Sequence, residues 1–236
     1  MSNLIYKICN KTKIKPVKLI VCDMAGTTIN EGGIVYDTLY ETMKNFGLTV
    51  SKNEKKKWYG KNKYEVLNNY LTLDNKIDLR IKKAVQSQLH TNFDNNLKEK
   101  YFFENNIKLI HYKLPELFNN IRKKNVKISL NTGYNKEIQE SIINKLNMNE
   151  FIDNYISSEE VKFGRPLPYM INRLIDKNNI KKTDEVIKIG DTQIDILEGK
   201  NANCGLSIGV LTGACNKYEL AEADLILNSV MDLRIT

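Results

Sequence analysis

The segment Val17-Lys18-Leu19-Ile20-Val21-Cys22 runs directly into Asp23-Met24-Ala25-Gly26-Thr27-Thr28. A short apolar run ends on a carboxylate and opens into a small, glycine-containing turn. That pattern describes a buried strand delivering Asp23 to its C-terminal edge, where open α/β sheets bind ligands. An aspartate there can be a nucleophile, a metal ligand or both. It can equally be a helix cap or a turn former.

The rest of the chain supplies the context. Apolar runs at Val17–Cys22, Val126–Leu130, Phe151–Ile156, Glu185–Ile189 and Cys204–Val210 alternate with helical patterns. The helical patterns fall at Leu114–Lys124, Lys136–Asn147, Pro166–Lys177, Ile194–Asn201 and Tyr218–Ala223. Strand–helix alternation of this kind predicts an α/β fold, a Rossmann-like doubly wound parallel sheet. Pro115 and Pro166 suit first turns of helices. Residues from about Ile34 to Ile110 show no strand pattern, and helices are expected at Tyr36–Phe46, Glu54–Trp58, Tyr64–Leu71, Ile77–Leu89 and Leu97–Phe103. The expected organisation is a core of residues 17–33 and 111–236, a helical insertion over 34–110, and a basic lead-in over 1–16. An insertion that emerges beside Asp23 is placed to act as a lid.

Composition excludes several classes. The 236 residues are 42 % hydrophobic and 27 % charged, as in an ordinary globular protein. No apolar run approaches the ~20 residues of a membrane span, and Lys7, Lys11, Lys13 and Lys15 interrupt any secretory apolar stretch. A cytoplasmic location without membrane attachment is expected. Cys9, Cys22, Cys204 and Cys215 form no zinc spacing with His90 and His111. Cys22 should point away from Asp23, because successive side chains of a strand face opposite sides. The net charge of +8 is spread over short lysine runs with no interleaved aromatic platform, so no nucleic-acid partner is expected. The expected partner is a small anionic phosphonate or phosphate, and a homodimer is allowed for.

Four strand-end signals follow one another. They are Asp23 in its turn, Asn131-Thr132-Gly133, Gly164-Arg165-Pro166, and Gly190-Asp191-Thr192 followed by Asp195. In a parallel sheet all four meet at one edge, as phosphoryl transfer requires. Asp23 would attack phosphorus. Thr132 and the amides near Gly26 and Gly133 would hold phosphoryl oxygens, with Arg165 as a permanent cation. Asp23 and Asp191 would supply hard oxygens for Mg²⁺, with Asp195 binding through water or orienting the others. Taken singly, Thr132 could be a helix cap, Arg165 a surface ion pair and Asp191 a turn former.

This order of motifs resembles the haloacid dehalogenase superfamily of phosphohydrolases, from Val17 to Leu233. The resemblance implies Asp23 as nucleophile, Gly26 and Thr27 as phosphate contacts, Asp191 and the Ala25 carbonyl as Mg²⁺ ligands, and a helical cap in the insertion. Phosphatases of this superfamily carry a second aspartate where Ala25 stands, as an acid for the leaving alcohol. Ala25 can supply no proton. The signature Asp23-Met24-Ala25-Gly26-Thr27-Thr28 resembles the phosphonoacetaldehyde hydrolases, which cleave a carbon–phosphorus bond through an imine on a cap lysine. Gly60-Lys61-Asn62-Lys63 places Lys63 in the register of that lysine, with Lys61 as the neighbouring candidate. Thr132-Gly133-Tyr134 and Gly164-Arg165-Pro166 also resemble that group. Tyr59, Val66 and Gly33 depart from its usual methionine, histidine and cysteine. Two alternatives accompany the phosphonatase-like reading: a phosphatase of small monoesters, and a non-catalytic phosphate-binding protein.

Overall fold

The computed structural model describes residues 16–73 and 81–234. Residues 1–15 of the basic lead-in, with Cys9, and the start of the helix expected from Ile77 lie outside the described residues. Six strands form one sheet: β1 (Leu19–Asp23), β4 (Lys127–Thr132), β5 (Asn154–Ser157), β6 (Val186–Gly190), β7 (Leu206–Val210) and β8 (Leu225–Leu227). Their order is β5-β4-β1-β6-β7-β8, and every pairing is parallel. The chain therefore builds outward from β1 in both directions, which leaves a crevice at the C-terminal ends of the central strands. Asp23 pairs in register with Asn131 and Cys22 with Ile189, so the ends of β1, β4 and β6 are level.

Alternation along β1 assigns its faces. Leu19 and Val21 pack with Met170, Ile171 and Leu174, whereas Ile20 and Cys22 pack with Ile128, Leu130 and Phe118. The thiol of Cys22 thus lies in the apolar layer opposite to Asp23, and burial pushes it up to about 12. The sheet is covered by α4 (Leu114–Arg122), α5 (Lys136–Lys145), α6 (Tyr169–Lys177) and α7 (Gln193–Asn201). Two of these start where a side chain caps the first turn. Asn135 Oδ1 accepts from Ile138 N–H at 2.8 Å, and Thr192 with Asp195 forms a capping box.

Between β1 and β4 the chain is mainly helical: α1 (Ile34–Asn45), a 3₁₀ segment Lys52–Trp58, α2 (Lys63–Leu73), α3 (Lys82–Lys98) and a π turn Glu99–Phe103. Its buried Trp58, Leu67, Leu71, Phe93 and Leu97 join the main core cluster.

Several expectations need correction. Lys108–Leu109 (β3) is a strand, paired antiparallel with Ile29–Asn30 (β2), so the insertion leaves and returns through a two-strand ribbon. Two-residue strands are too short for alternation to announce. Leu225–Leu227 joins the sheet edge although no strand is expected there. Tyr218–Ala223 forms turns rather than a helix. Pro166 precedes its helix by three residues, since α6 begins at Tyr169.

Candidate active site

Asp23 ends β1 almost fully buried. The chain then folds back on itself: Met24 C=O accepts from the N–H groups of Thr27, Thr28 and Ile29 at 2.9–3.2 Å. Gly26 sits in this turn at φ +80°, and a Cβ there would stand 2.6 Å from Asp191 Oδ2. Only glycine lets the turn press against the carboxylate that follows β6. Asp191 Oδ2 accepts from Ala214 N–H at 2.6 Å, and Oδ1 accepts from the Thr27 hydroxyl at 3.4 Å. Among the described residues no lysine or arginine pairs with Asp191.

Arg165 reaches in from the loop before α6. Its Nη1 donates to Asp23 Oδ1 at 2.7 Å and also to Asp195 Oδ1. Its Nε is buried without a hydrogen-bond partner. Below it lies a fully enclosed set of polar groups. Lys188 Nζ donates to Asn131 Oδ1 at 2.6 Å and pairs with Asp195 Oδ1 at 3.0 Å and Glu198 Oε2 at 3.1 Å. Asn131 Nδ2 donates to both oxygens of Glu198. Asp195 Oδ2 accepts from the Thr192 hydroxyl at 2.5 Å and from Thr192 N–H at 3.2 Å. Asp195 is therefore committed on both oxygens to protein donors and helps aim Arg165.

Thr132 closes β4; its Oγ1 accepts from Tyr134 N–H at 3.3 Å. Gly133 meets the insertion directly. Its carbonyl accepts from Lys63 N–H at 3.3 Å, and a Cβ on it would stand 2.5 Å from Lys61 C=O. Gly60 packs as closely on the other side, where a Cβ would stand 2.6 Å from Thr192 Oγ1. Asn62 Nδ2 donates to Ser158 Oγ at 2.8 Å. The loop 60–63 is thus wedged between the turns that follow β4 and β6. Lys63 is 6 % exposed, and its Nζ donates to Lys61 C=O at 2.9 Å. A cavity of about 420 Å³ opens beside this assembly, lined in part by Ala25, Gly26, Glu31, Tyr36 and Asp191.

The electrostatics follow from this crowding. Burial first, then the neighbouring Asp195, raises Asp23 to about 6 against the opposing pull of Arg165 and Lys188. Burial and the charges of Asp23 and Asp195 hold Asp191 well above the usual carboxylate range. Burial also penalises ionised Asp195, but Arg165 and Lys188 outweigh it and keep the carboxyl at about 2. Burial, then Arg165, lowers Lys63 to about 8, with Asp23, Glu31 and Asp191 opposing.

Asp23, Asp191 and Asp195 each offer an oxygen within 4.8 Å of the others. Asp191 is raised by its burial and by like charge and, among the described residues, is paired with no lysine or arginine, so a small hard divalent cation fits here. Asp23 and Asp191 would hold it, and Ala25 lines the cavity beside Asp191.

The family model of haloacid dehalogenase-like hydrolases matches residues 20–208. The chain belongs to this family. Within the haloacid dehalogenase-like hydrolases, it is 27 % identical over 220 residues to the phosphonoacetaldehyde hydrolase of Bacteroides fragilis, covering 89 % of this chain and 82 % of that one. Its fold matches a phosphonoacetaldehyde hydrolase-like protein from Oleispira antarctica with a TM-score of 0.74, at 19 % identity and with 93 % and 90 % of the two chains covered. It matches the β-phosphoglucomutase of Clostridium difficile with the same TM-score of 0.74, at 18 % identity and 92 % and 93 % coverage. The protein is accordingly a hydrolase of this family, and no helix among its described residues is long and apolar enough to cross a membrane.

Of the residues named from sequence, Ala25, Gly26 and Asp191 line the cavity; Thr27 bonds to Asp191, Arg165 joins Asp23 to Asp195, and Lys63 docks on Gly133 beside Thr132. Sequence reasoning passed over Asn131, Lys188 and Glu198. The lysine carried a signal, because a cation inside the apolar run Val186–Gly190 must be neutralised nearby.

Proposed function

We propose that this chain is a Mg²⁺-dependent, phosphonatase-like hydrolase that cleaves the carbon–phosphorus bond of a small phosphonate aldehyde such as phosphonoacetaldehyde. The observation that carries the reading is Lys63: a buried amine of the insertion, tied by its backbone N–H to Gly133 C=O in the turn after β4 at 3.3 Å, with burial lowering it to about 8. Relatives named phosphonoacetaldehyde hydrolases support it. So does the methyl group of Ala25, where an alkoxide leaving group would need an acid.

Each step balances. The neutral Lys63 amine adds to the aldehyde carbon. The carbonyl oxygen departs as water with one proton from the amine and one from solvent, leaving a protonated imine. An Asp23 oxygen attacks phosphorus. The electron pair of the carbon–phosphorus bond moves to the adjacent carbon and into the imine, giving an enamine and an aspartyl phosphate. The enamine takes a proton on carbon, and water releases acetaldehyde and Lys63. A second water hydrolyses the acyl phosphate to inorganic phosphate and free Asp23. Arg165, with its Nε still free to donate, and the Thr132 hydroxyl bind phosphoryl oxygens. Mg²⁺ held by Asp23, Asp191 and the Ala25 carbonyl would neutralise charge on the phosphoryl group. The loop 60–63 excludes water from the imine.

Phosphate release from phosphonoacetaldehyde, set against a panel of phosphate monoesters, tests the reading. Asp23→Asn should abolish all turnover. Lys63→Arg should abolish carbon–phosphorus cleavage alone, because a guanidinium forms no such imine. Release from monoesters with none from the phosphonate would replace this reading with that of a phosphatase.

A further inference from the structure

The surroundings of the Lys63 amine contain more than the mechanism above uses. Its Nζ lies 5.1 Å from the ring centroid of Tyr36 and 5.7 Å from that of Tyr134. Both rings are fixed through their hydroxyls. Tyr36 Oη accepts from Gly60 N–H at 3.0 Å, and its ring packs on Tyr59 at 4.8 Å between centroids. Tyr134 is held by a relay whose direction is determined. Tyr101 has one hydroxyl proton, and its partner Glu31 Oε2, at 2.8 Å, already accepts from Val35 N–H as the cap of α1. Tyr101 therefore donates to Glu31, and Tyr134 must donate to Tyr101 across 2.7 Å.

We infer that Tyr36 and Tyr134 form an aromatic clamp that favours the positive charge the Lys63 nitrogen regains in the protonated imine, after its neutral amine has attacked, with Tyr36 as a positioning residue of the reaction. The inference rests on reading Lys63 as the imine-forming amine. A buried cation needs compensation. A carboxylate against Nζ would compensate it so strongly that the amine could not shed its proton and attack. A ring face attracts the charge weakly, takes no proton and acts as well on a delocalised iminium as on an ammonium. Two rings locked from separate parts of the chain, the first helix of the insertion and the turn after β4, hold that attraction in place while the electron sink is in use. Lowering the energy of the protonated imine favours the state that accepts the electrons of the breaking bond. The benefit should therefore appear in kcat more than in KM.

The test replaces Tyr36 by phenylalanine and then by phenylalanines carrying one, two and three ring fluorines. This drains the ring face of electron density at nearly constant shape. Tyr36→Phe reads the hydroxyl bond to Gly60 and serves as the reference. Along the fluorine series, kcat for phosphonoacetaldehyde should fall stepwise, by about tenfold in total, with KM changing less. The fraction of Lys63 reduced by borohydride in the presence of aldehyde should fall in parallel. A flat series, with wild-type Lys63 still trapped, overturns the clamp and leaves the imine standing. Wild-type protein that yields no trapped lysine and no phosphonate cleavage overturns the imine, and the clamp with it.

Discussion

The backbone N–H of Lys63 donates to the carbonyl of Gly133 at 3.3 Å, which ties the amine of the insertion to the turn that carries Thr132. With the close packing of Gly60 and the bond from Asn62 to Ser158, it sets the relative position of two groups that come from distant parts of the chain.

Gly133→Ala should uncouple them. The added methyl would stand 2.5 Å from the Lys61 carbonyl, and a backbone oxygen cannot swing aside as a flexible side chain can. The loop 60–63 should be pushed off the turn while the sheet folds normally. We expect kcat/KM to fall by roughly ten- to a hundredfold, as for a misplacement of about 1 Å. Steady-state kinetics, with a thermal melt as the folding control, check this; unchanged kinetics would show that the docking is not needed.

Removal of the metal site should show in stability as well as turnover. A cation that binds only the folded chain raises its melting temperature with concentration. Mg²⁺ should therefore stabilise the wild type and leave Asp191→Ala unmoved. Chelator should abolish wild-type phosphate release, and added Mg²⁺ should restore it. Equal Mg²⁺ responses in the two proteins would remove Asp191 from the ligand set.

The lowered Lys63 amine makes a pH prediction with a definite sign. Its folded value is about 8, against an ordinary 10.5. The neutral, attacking form therefore grows as pH rises through 8, and the rate of borohydride trapping should climb over pH 7–9. Between 8 and 10.5 the unfolded chain holds the proton and the folded chain does not, so stability contributed at this site rises with pH there. Below 8 both states are charged and the burial penalty is constant. Lys63→Met should consequently stabilise the inactive protein near pH 7, by on the order of 2 kcal/mol, and lose that advantage above about pH 10.5. Urea melts at the two pH values measure it.

Lys188→Met should be the most destabilising of these substitutions. It leaves Asp195 with Arg165 as its one remaining ion-pair partner beside the Thr192 donors, and Glu198 with only the Asn131 amide, in a fully buried setting. A loss of roughly 3–5 kcal/mol is expected for breaking such a set. Because the cost comes from the stranded carboxylate, the double variant Lys188→Met with Glu198→Leu should recover part of it. Urea denaturation of the single and double variants decides; no recovery would mean that Glu198 is not what the lysine balances.

The sequence makes the reactive edge legible because strand ends carry it. Asp23, Thr132 and Asp191 each close or follow an apolar run, and run lengths are visible without coordinates. Arg165 was marked by its glycine and proline neighbours. The supporting groups were less legible for a physical reason. Asn131, Glu198, Tyr101 and Glu31 act through partners 67 to 70 residues away, in the pairs Asn131–Glu198 and Tyr101–Glu31, and no local pattern records such a pairing. The turns at Tyr218–Ala223 imitated a helix because alanine, leucine and glutamate favour one and because Asn216 Oδ1, accepting from the N–H groups of Tyr218 and Glu219, caps a first turn as it would a helix; the segment goes no further before β8 begins at Leu225.

The ribbon of Ile29–Asn30 with Lys108–Leu109 has a consequence for how such a chain could be assembled or taken apart. Because Ile29 lies opposite Leu109, the segment from Glu31 to Ile107 starts and finishes one strand spacing apart, about 4.8 Å. Its removal would leave ends that a two-residue turn could join, completing a hairpin that already exists. The insertion is therefore exchangeable at little topological cost. A different set of helices spliced between the same two strands would still hang over Asp23, and would bring its own side chains to whatever is bound there.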